Sequence, residues 1–202
     1  MGIDELLRRD GLPPPIRLMV LALASVWRGD WGRLRECAQH AMAQRQPRQD
    51  FEETLLQAVL FAGFPRAVTA FEVLAEAWPA TAPPTGGALP PAEQAAAGQA
   101  LFAAIYGRNE AAVHTMLRGF HGEFHDFVLE SAYGRVLSRP GLTPRVRELL
   151  ATGVLAAQDQ LPQFVGHARG ALHFGATRIE LQEVLVTVLG SLEQAESWLR
   201  RV

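Results

Sequence analysis

Six histidines, one cysteine and nineteen basic residues, all of them arginine, are the groups through which this 202-residue chain can do chemistry. His167 stands at helical spacing from Phe164 and Ala171 and beside Arg169, a half-inside position. An imidazole titrates near neutral pH and can give or take a proton there. His121 and His125 are four apart, with Glu123 between and Asp126 after. That spacing can set two imidazoles on one helix face for zinc, but the glutamate is misplaced for HExxH and no third ligand follows. Solvated histidines at a helix start are the expectation, with no metal. His114 and His173 stand alone. Cys37 falls on an apolar stripe, as a buried, inert thiol does. As the only cysteine it excludes an intrachain disulfide and CxxC redox chemistry, and it fits a reducing compartment. With no lysine, Schiff-base catalysis by a side-chain amine is excluded.

The elements that must position these groups are helical. Apolar residues make up 49% of the chain and charged residues 20%, values of a globular protein with a sizeable core. Apolar stripes at helical spacing run through Met19–Trp27, Leu34–Met42, Phe51–Val59 and Val68–Trp78, then resume from Leu101 to Val188. No run of β-type alternation is present, so the expected class is all-α. Asp50 with Glu53 and Thr177 with Glu180 read as capping boxes. Thr143-Pro144 reads as an N-cap followed by proline at the first helical position. Residues 79–92 are proline- and glycine-rich and read as a linker.

Net charge is −2, which gives no reason to expect nucleic acid or an acidic membrane as partner. The most apolar run, Leu18 to Trp27, falls far short of the ~20 residues that span a bilayer. Asp4, Glu5, Arg8 and Arg9 at the N-terminus do not resemble a signal peptide. A cytoplasmic, soluble protein is expected.

An offset of 130 residues aligns the chain with itself without a gap. Leu12 meets Leu142, Pro14 meets Pro144, Arg17 meets Arg147, Ala38 meets Ala168, Arg48 meets Arg178 and Glu53 meets Glu183. The reading is two related helical units, residues 1–78 and 93–202, joined by the linker at 79–92.

The stretch from Phe124 through Ser138-Arg-Pro-Gly-Leu142 and Thr143-Pro-Arg-Val-Arg147 resembles the carboxymuconolactone decarboxylase family. So do His167-Ala-Arg-Gly-Ala-Leu172 and Gly175-Ala-Thr-Arg-Ile-Glu180, and Ala62-Gly-Phe-Pro-Arg-Ala67 resembles the family's closing turn. The resemblance covers residues 93–189 well and 12–75 more weakly. It implies an all-α, AhpD-like helical domain and a homo-oligomer, trimer or hexamer. The peroxidase branch of that superfamily uses Glu-x11-Cys-x2-Cys-x3-His. Here the glutamate and histidine positions are Glu148 and His167, and both cysteine positions, 160 and 163, are glutamine. A dithiol peroxidase reaction is therefore excluded. At the 130-residue offset Leu18 stands opposite Glu148 and Cys37 opposite His167, so the first unit lacks the constellation. Tyr133-Gly-Arg135 replaces the family's Trp-Gly-Glu, and Gln163 replaces a glutamate.

What the resemblance implies is a cofactor-free lyase or isomerase acting on a small carboxylated lactone. His167 would be general acid/base and Glu148 its partner, while Arg147, Arg139, Arg169 and Gln163 would hold the substrate. The alternative is a non-catalytic helical scaffold of the same family with an eroded site.

Overall fold

The computed structural model describes residues 1–82 and 87–202, so residues 83–86 of the expected linker lie outside it. Among the described residues the regular structure is helical throughout, without a strand. A short α1 (Ile3–Leu7) leads into α2 (Pro14–Arg28), α3 (Trp31–Ala43) and α4 (Arg48–Ala77). After the linker come α5 (Pro91–Tyr106), α6 (Glu110–Phe120) and α7 (Gly122–Phe127). The last set is α8 (Pro144–Ala157), α9 (Leu161–His173), α10 (Arg178–Leu189) and α11 (Leu192–Leu199).

The offset that aligns the sequence also aligns the helix boundaries. α2 and α8 begin at 14 and 144, α3 and α9 at 31 and 161, α4 and α10 at 48 and 178. The turn between the first two helices of each set is left-handed at Gly29 (φ 71°) and at Asp159 (φ 57°). The two sets do not form separate bodies. α2 packs on α8 as well as on α3 and α4. One core takes in Leu18, Leu23, Cys37 and Leu55 together with Leu149, Leu150, Phe164 and Leu185, all essentially without solvent contact.

The caps hold in part. Thr177 and Glu180 form the reciprocal capping box, and the Thr143 hydroxyl accepts from the Val146 amide. Asp50 is not an N-cap: Pro47 precedes the helix, which starts at Arg48 and carries Asp50 in its first turn. A proline at the boundary fixes the entry angle without a side-chain cap. By length and composition α4 is apolar enough to span a membrane. It is broken at Gly63 (φ 75°), and its first half buries Phe51, Leu55 and Ala58 in the core.

The ten-residue π-helical stretch Val128–Leu137 that continues α7 has no counterpart in the sequence reading. It packs on α5 backbone to backbone. A Cβ on Gly98 would come within 2.6 Å of the Gly134 amide nitrogen, so neither position can carry a side chain. This contact sets a second, smaller core of Phe102, Ile105, Tyr133 and Leu137 beside the first.

Candidate functional site

α8 and α9 are antiparallel and joined by the short turn around Asp159. Glu148 points from α8 into the space between them, and His167 points from α9 toward it. The His167 Nδ1 lies 2.9 Å from the Glu148 Oε2 with both groups buried, a direct bond with no bridging water. Gly170 makes this approach possible. A Cβ there would sit 2.6 Å from the Glu148 Oε2, so only glycine lets the helix backbone pass the carboxylate.

The carboxylate fixes the ring as well as holding it. Nδ1–H donates to Glu148, which leaves Nε2 as the nitrogen that can exchange a proton. Nε2 makes no hydrogen bond to any described residue, and the ring keeps 10% of its exposure. Burial works against a charged ring. The charge and hydrogen bond of Glu148 outweigh it and raise the imidazole pKa above its ordinary value.

Two phenols that sequence reasoning passed over stand near the pair. The Tyr133 hydroxyl donates to the Tyr106 hydroxyl at 3.0 Å, and Phe102 packs against both rings. Burial raises both phenol pKa values, with the Glu148 charge adding to the effect, so both stay protonated. The signal available in sequence was Tyr106, the last residue of its helix, just before Gly107.

The four residues expected to bind substrate are divided. Arg147 and Arg139 are committed elsewhere, which corrects their assignment as carboxylate anchors. Arg147 is buried and donates from Nη2 to Glu53 at 2.7 Å and from Nη1 to Gln57 at 3.3 Å. Arg139 grips the same carboxylate with Nη2 at 2.6 Å and Nε at 2.9 Å. Burial alone would raise the Glu53 pKa, but the hydrogen bonds from Arg139 and Arg147 bring it below the ordinary carboxylate value. Adjacent positions on a helix face different ways, so Arg147 turns from Glu148 toward α4. Gln163 is exposed on the outer side of α9. Arg169 is exposed too, but it lines a cleft of about 410 Å³ with Tyr106, Arg108, Asn109, Gly166 and His173.

The remaining candidates are placed as follows. His125 is not solvated: it is buried, with Nε2 2.8 Å from the His114 Nδ1 and Nδ1 2.8 Å from Asp126. His121 is exposed at the junction of α6 and α7. Cys37 is buried, and burial pushes its thiol far above the ordinary range, which removes the reactive thiolate.

Residues 123–189, which contain Glu148, His167 and Gly170, match the model of the carboxymuconolactone decarboxylase family. Among individual relatives, the 4-carboxymuconolactone decarboxylase of Acinetobacter baylyi is 34% identical over 70 residues, 35% of this chain and 52% of that protein. Nitrosuccinic acid decarboxylase of Metarhizium robertsii is 34% identical over 61 residues, 30% of this chain and 43% of that protein. The matches thus span about half the length of these two decarboxylases. Peroxisomal protein 2 of Schizosaccharomyces pombe is 28% identical over 179 residues, 85% of this chain and 83% of that protein. The matched stretch begins after Tyr106, Arg108 and Asn109, so those cleft residues are outside it.

Proposed function

We propose that this chain is a cofactor-free lyase or isomerase that moves a proton at carbon in a small carboxylated lactone or a related acid. One observation carries the reading: the direct, buried Glu148–His167 bond, which leaves Nε2 without a partner among the described residues. In a decarboxylation of this kind the bond to the departing CO2 breaks. Its electron pair moves through the conjugated system, and a proton must reach carbon. An imidazole whose charged form is favoured by a buried carboxylate is suited to deliver that proton. Arg169 is the one expected carboxylate anchor with its guanidinium free of any carboxylate among the described residues.

The scaffold reading has one observation in its favour. The cleft wall runs through Gly166 and Arg169 but does not include His167 between them. The two are separated by assaying a panel of small carboxylated lactones with wild type, His167→Gln and Glu148→Gln. Turnover by wild type that both substitutions abolish supports the enzyme. A wild type without turnover, or turnover indifferent to His167→Gln, hands the pair a structural role.

Three readings complete the proposal. The two helical sets are two copies of one unit, the first without the acid–base pair. Exposed Phe64, Phe120 and Phe127 suit burial between subunits of a homo-oligomer. A buried lone thiol suits a reducing compartment such as the cytoplasm.

A further inference from the structure

The two helices that follow α5 are tied by a pair of histidines that the acid–base pair does not use. His114 stands on α6 and His125 on α7. The His114 Nδ1 lies 2.8 Å from the His125 Nε2, and the outer nitrogen of each ring faces a carboxylate. His125 Nδ1 is 2.8 Å from the Asp126 Oδ1, and His114 Nε2 is 3.5 Å from the Glu110 Oε1. The four groups form one file: Glu110, His114, His125, Asp126. No other carboxylate among the described residues pairs with either ring. Arg108 precedes α6 and Arg118 stands one turn beyond His114, and neither is paired with Glu110 or Asp126. On α7, His121 and Glu123 are exposed. From α5 the Phe102 ring packs on His114 with centres 4.6 Å apart, and the Tyr106 and Tyr133 phenols beyond it stay protonated.

A hydrogen bond between two imidazoles needs one proton in the gap and a lone pair opposite it. Asp126 accepts from His125 Nδ1–H, so the network makes His125 Nε2 the acceptor and His114 Nδ1–H the donor. One added proton goes to His114 Nε2, where it meets Glu110. The file is then complete, with an N–H in each interval and a carboxylate at each end. A second added proton can only enter the gap, on His125 Nε2. Two N–H groups then face each other at 2.8 Å on two charged rings, and the bond becomes a repulsion. The pair holds with one added proton or none and fails with two. His125 is 2% exposed and His114 16%, so His114 is the ring with a way out.

Little else holds α6 in place. It has no fully buried residue, and only Val113 and Leu117 join His114 in resting on the second core. We propose that His114 and His125 form an acid-released latch, which ties α6 to α7 and to Phe102 until both rings are charged. Histidine changes charge in the range where such a latch can respond to its surroundings, and two coupled rings take up protons in steps that belong to the pair. Release loosens α6 from Phe102, the ring on which Tyr106 and Tyr133 also pack. The latch uses neither Glu148 nor His167, so it stands whether or not the chain turns over a lactone.

The test is hydrogen exchange of the full chain at pH 8 and pH 5, corrected for the intrinsic rate at each pH. Amides of α6 and α7 should lose protection by about tenfold or more at pH 5, while those of α8 and α9 change by less than about twofold. Asparagine at 114 would place its amide near the Nδ1 of the histidine, and an amide can donate to His125 or accept from it. His114→Asn should therefore keep the pH 8 protection within about threefold and lose the pH dependence. Protection of α6 and α7 that is equal at the two pH values overturns the latch. So does the same loss in His114→Asn as in wild type, or a loss shared by α8 and α9, which is general acid unfolding. Nitrogen NMR of histidine-labelled wild type gives a check that needs no variant. His125 Nε2 should be the unprotonated nitrogen of its ring at pH 8 and gain its proton only as α6 loosens, and protonation of both rings with the 114–125 bond intact overturns the proposal.

Discussion

Positions related by the 130-residue offset behave in two opposite ways. At one set the same chemistry is present twice. Glu183 is held by Arg9 at 2.6 Å and Arg17 at 3.0 Å, as Glu53 is held by Arg139 at 2.6 Å and Arg147 at 2.7 Å. Arg17 Nη2 donates to the Arg9 carbonyl and Arg147 Nη2 to the Arg139 carbonyl, both at 3.1 Å. Each buried arginine reaches across to the glutamate of the other helical set. At the second set of positions, Glu148 and His167 stand against Leu18 and Cys37, and all four are buried. A buried charge is costly unless paired, so an ion cluster repeated at both places is tied to holding the helices together. The acid–base pair is present at one place only, and at the other Leu18 and Cys37 are equally buried without it.

The sharpest way to break this contrast is to exchange its members' roles. His167→Gln should lower turnover of a carboxylated lactone by about 10²–10⁴-fold, the usual weight of a general acid or base. Cys37→Ser, at the matching position, should leave turnover unchanged. Next in size is the stability of the repeated clusters. Arg147→Met and Arg17→Met each take one of the two guanidiniums from a buried carboxylate, leaving Arg139 and Arg9 in place, and should each cost up to about 3 kcal/mol in urea unfolding. Their partners sharpen the comparison: Arg139→Met should cost more than Arg9→Met, because Arg139 is 13% exposed and Arg9 34%. Equal losses at the two partners would show that exposure does not rank these pairs.

A smaller effect follows from the raised pKa of His167. The folded protein holds that proton more tightly than the unfolded chain, whose histidine titrates near ~6.5. The stabilisation is therefore complete below that pH and is lost as pH rises through the folded value. The stability difference between wild type and His167→Gln should be larger at pH 5 than at pH 9. A difference that grows with pH would reverse the sign of the Glu148 effect. Smallest of all, Cys37 should resist a thiol reagent in the native state and react only on unfolding.

Much of this was legible in the sequence, because helical periodicity and caps are local. The stripes located the helices, and Thr177-x-x-Glu180 fixed a helix start. The family motif named Glu148 and His167. What it could not show was their direct contact, since that depends on Gly170 removing a side chain from a crossing of two helices. Arg147 and Arg139 looked like anchors because an arginine beside a candidate site is read as available. Their true partner, Glu53, is about ninety residues away in sequence. Tyr106 and Arg108 were missed for a similar reason: the cleft is made by the end of α5 meeting α9, which no local pattern encodes. The π-helical stretch was missed because its wider coil follows from packing on α5.

The seat of Gly98 on Gly134 acts as a fulcrum. α5 rests there on bare backbone, and Tyr106, at its far end, moves with whatever happens at that point. A methyl group at residue 98 would meet the Gly134 amide at 2.6 Å and lever the helix outward. The displacement would be felt two turns away at the cleft wall, and Tyr133, next to the pivot, would shift with it. Small changes at two glycines that touch neither ligand nor acid–base pair can thus retune the width of the cleft and the Tyr106–Tyr133 bond together.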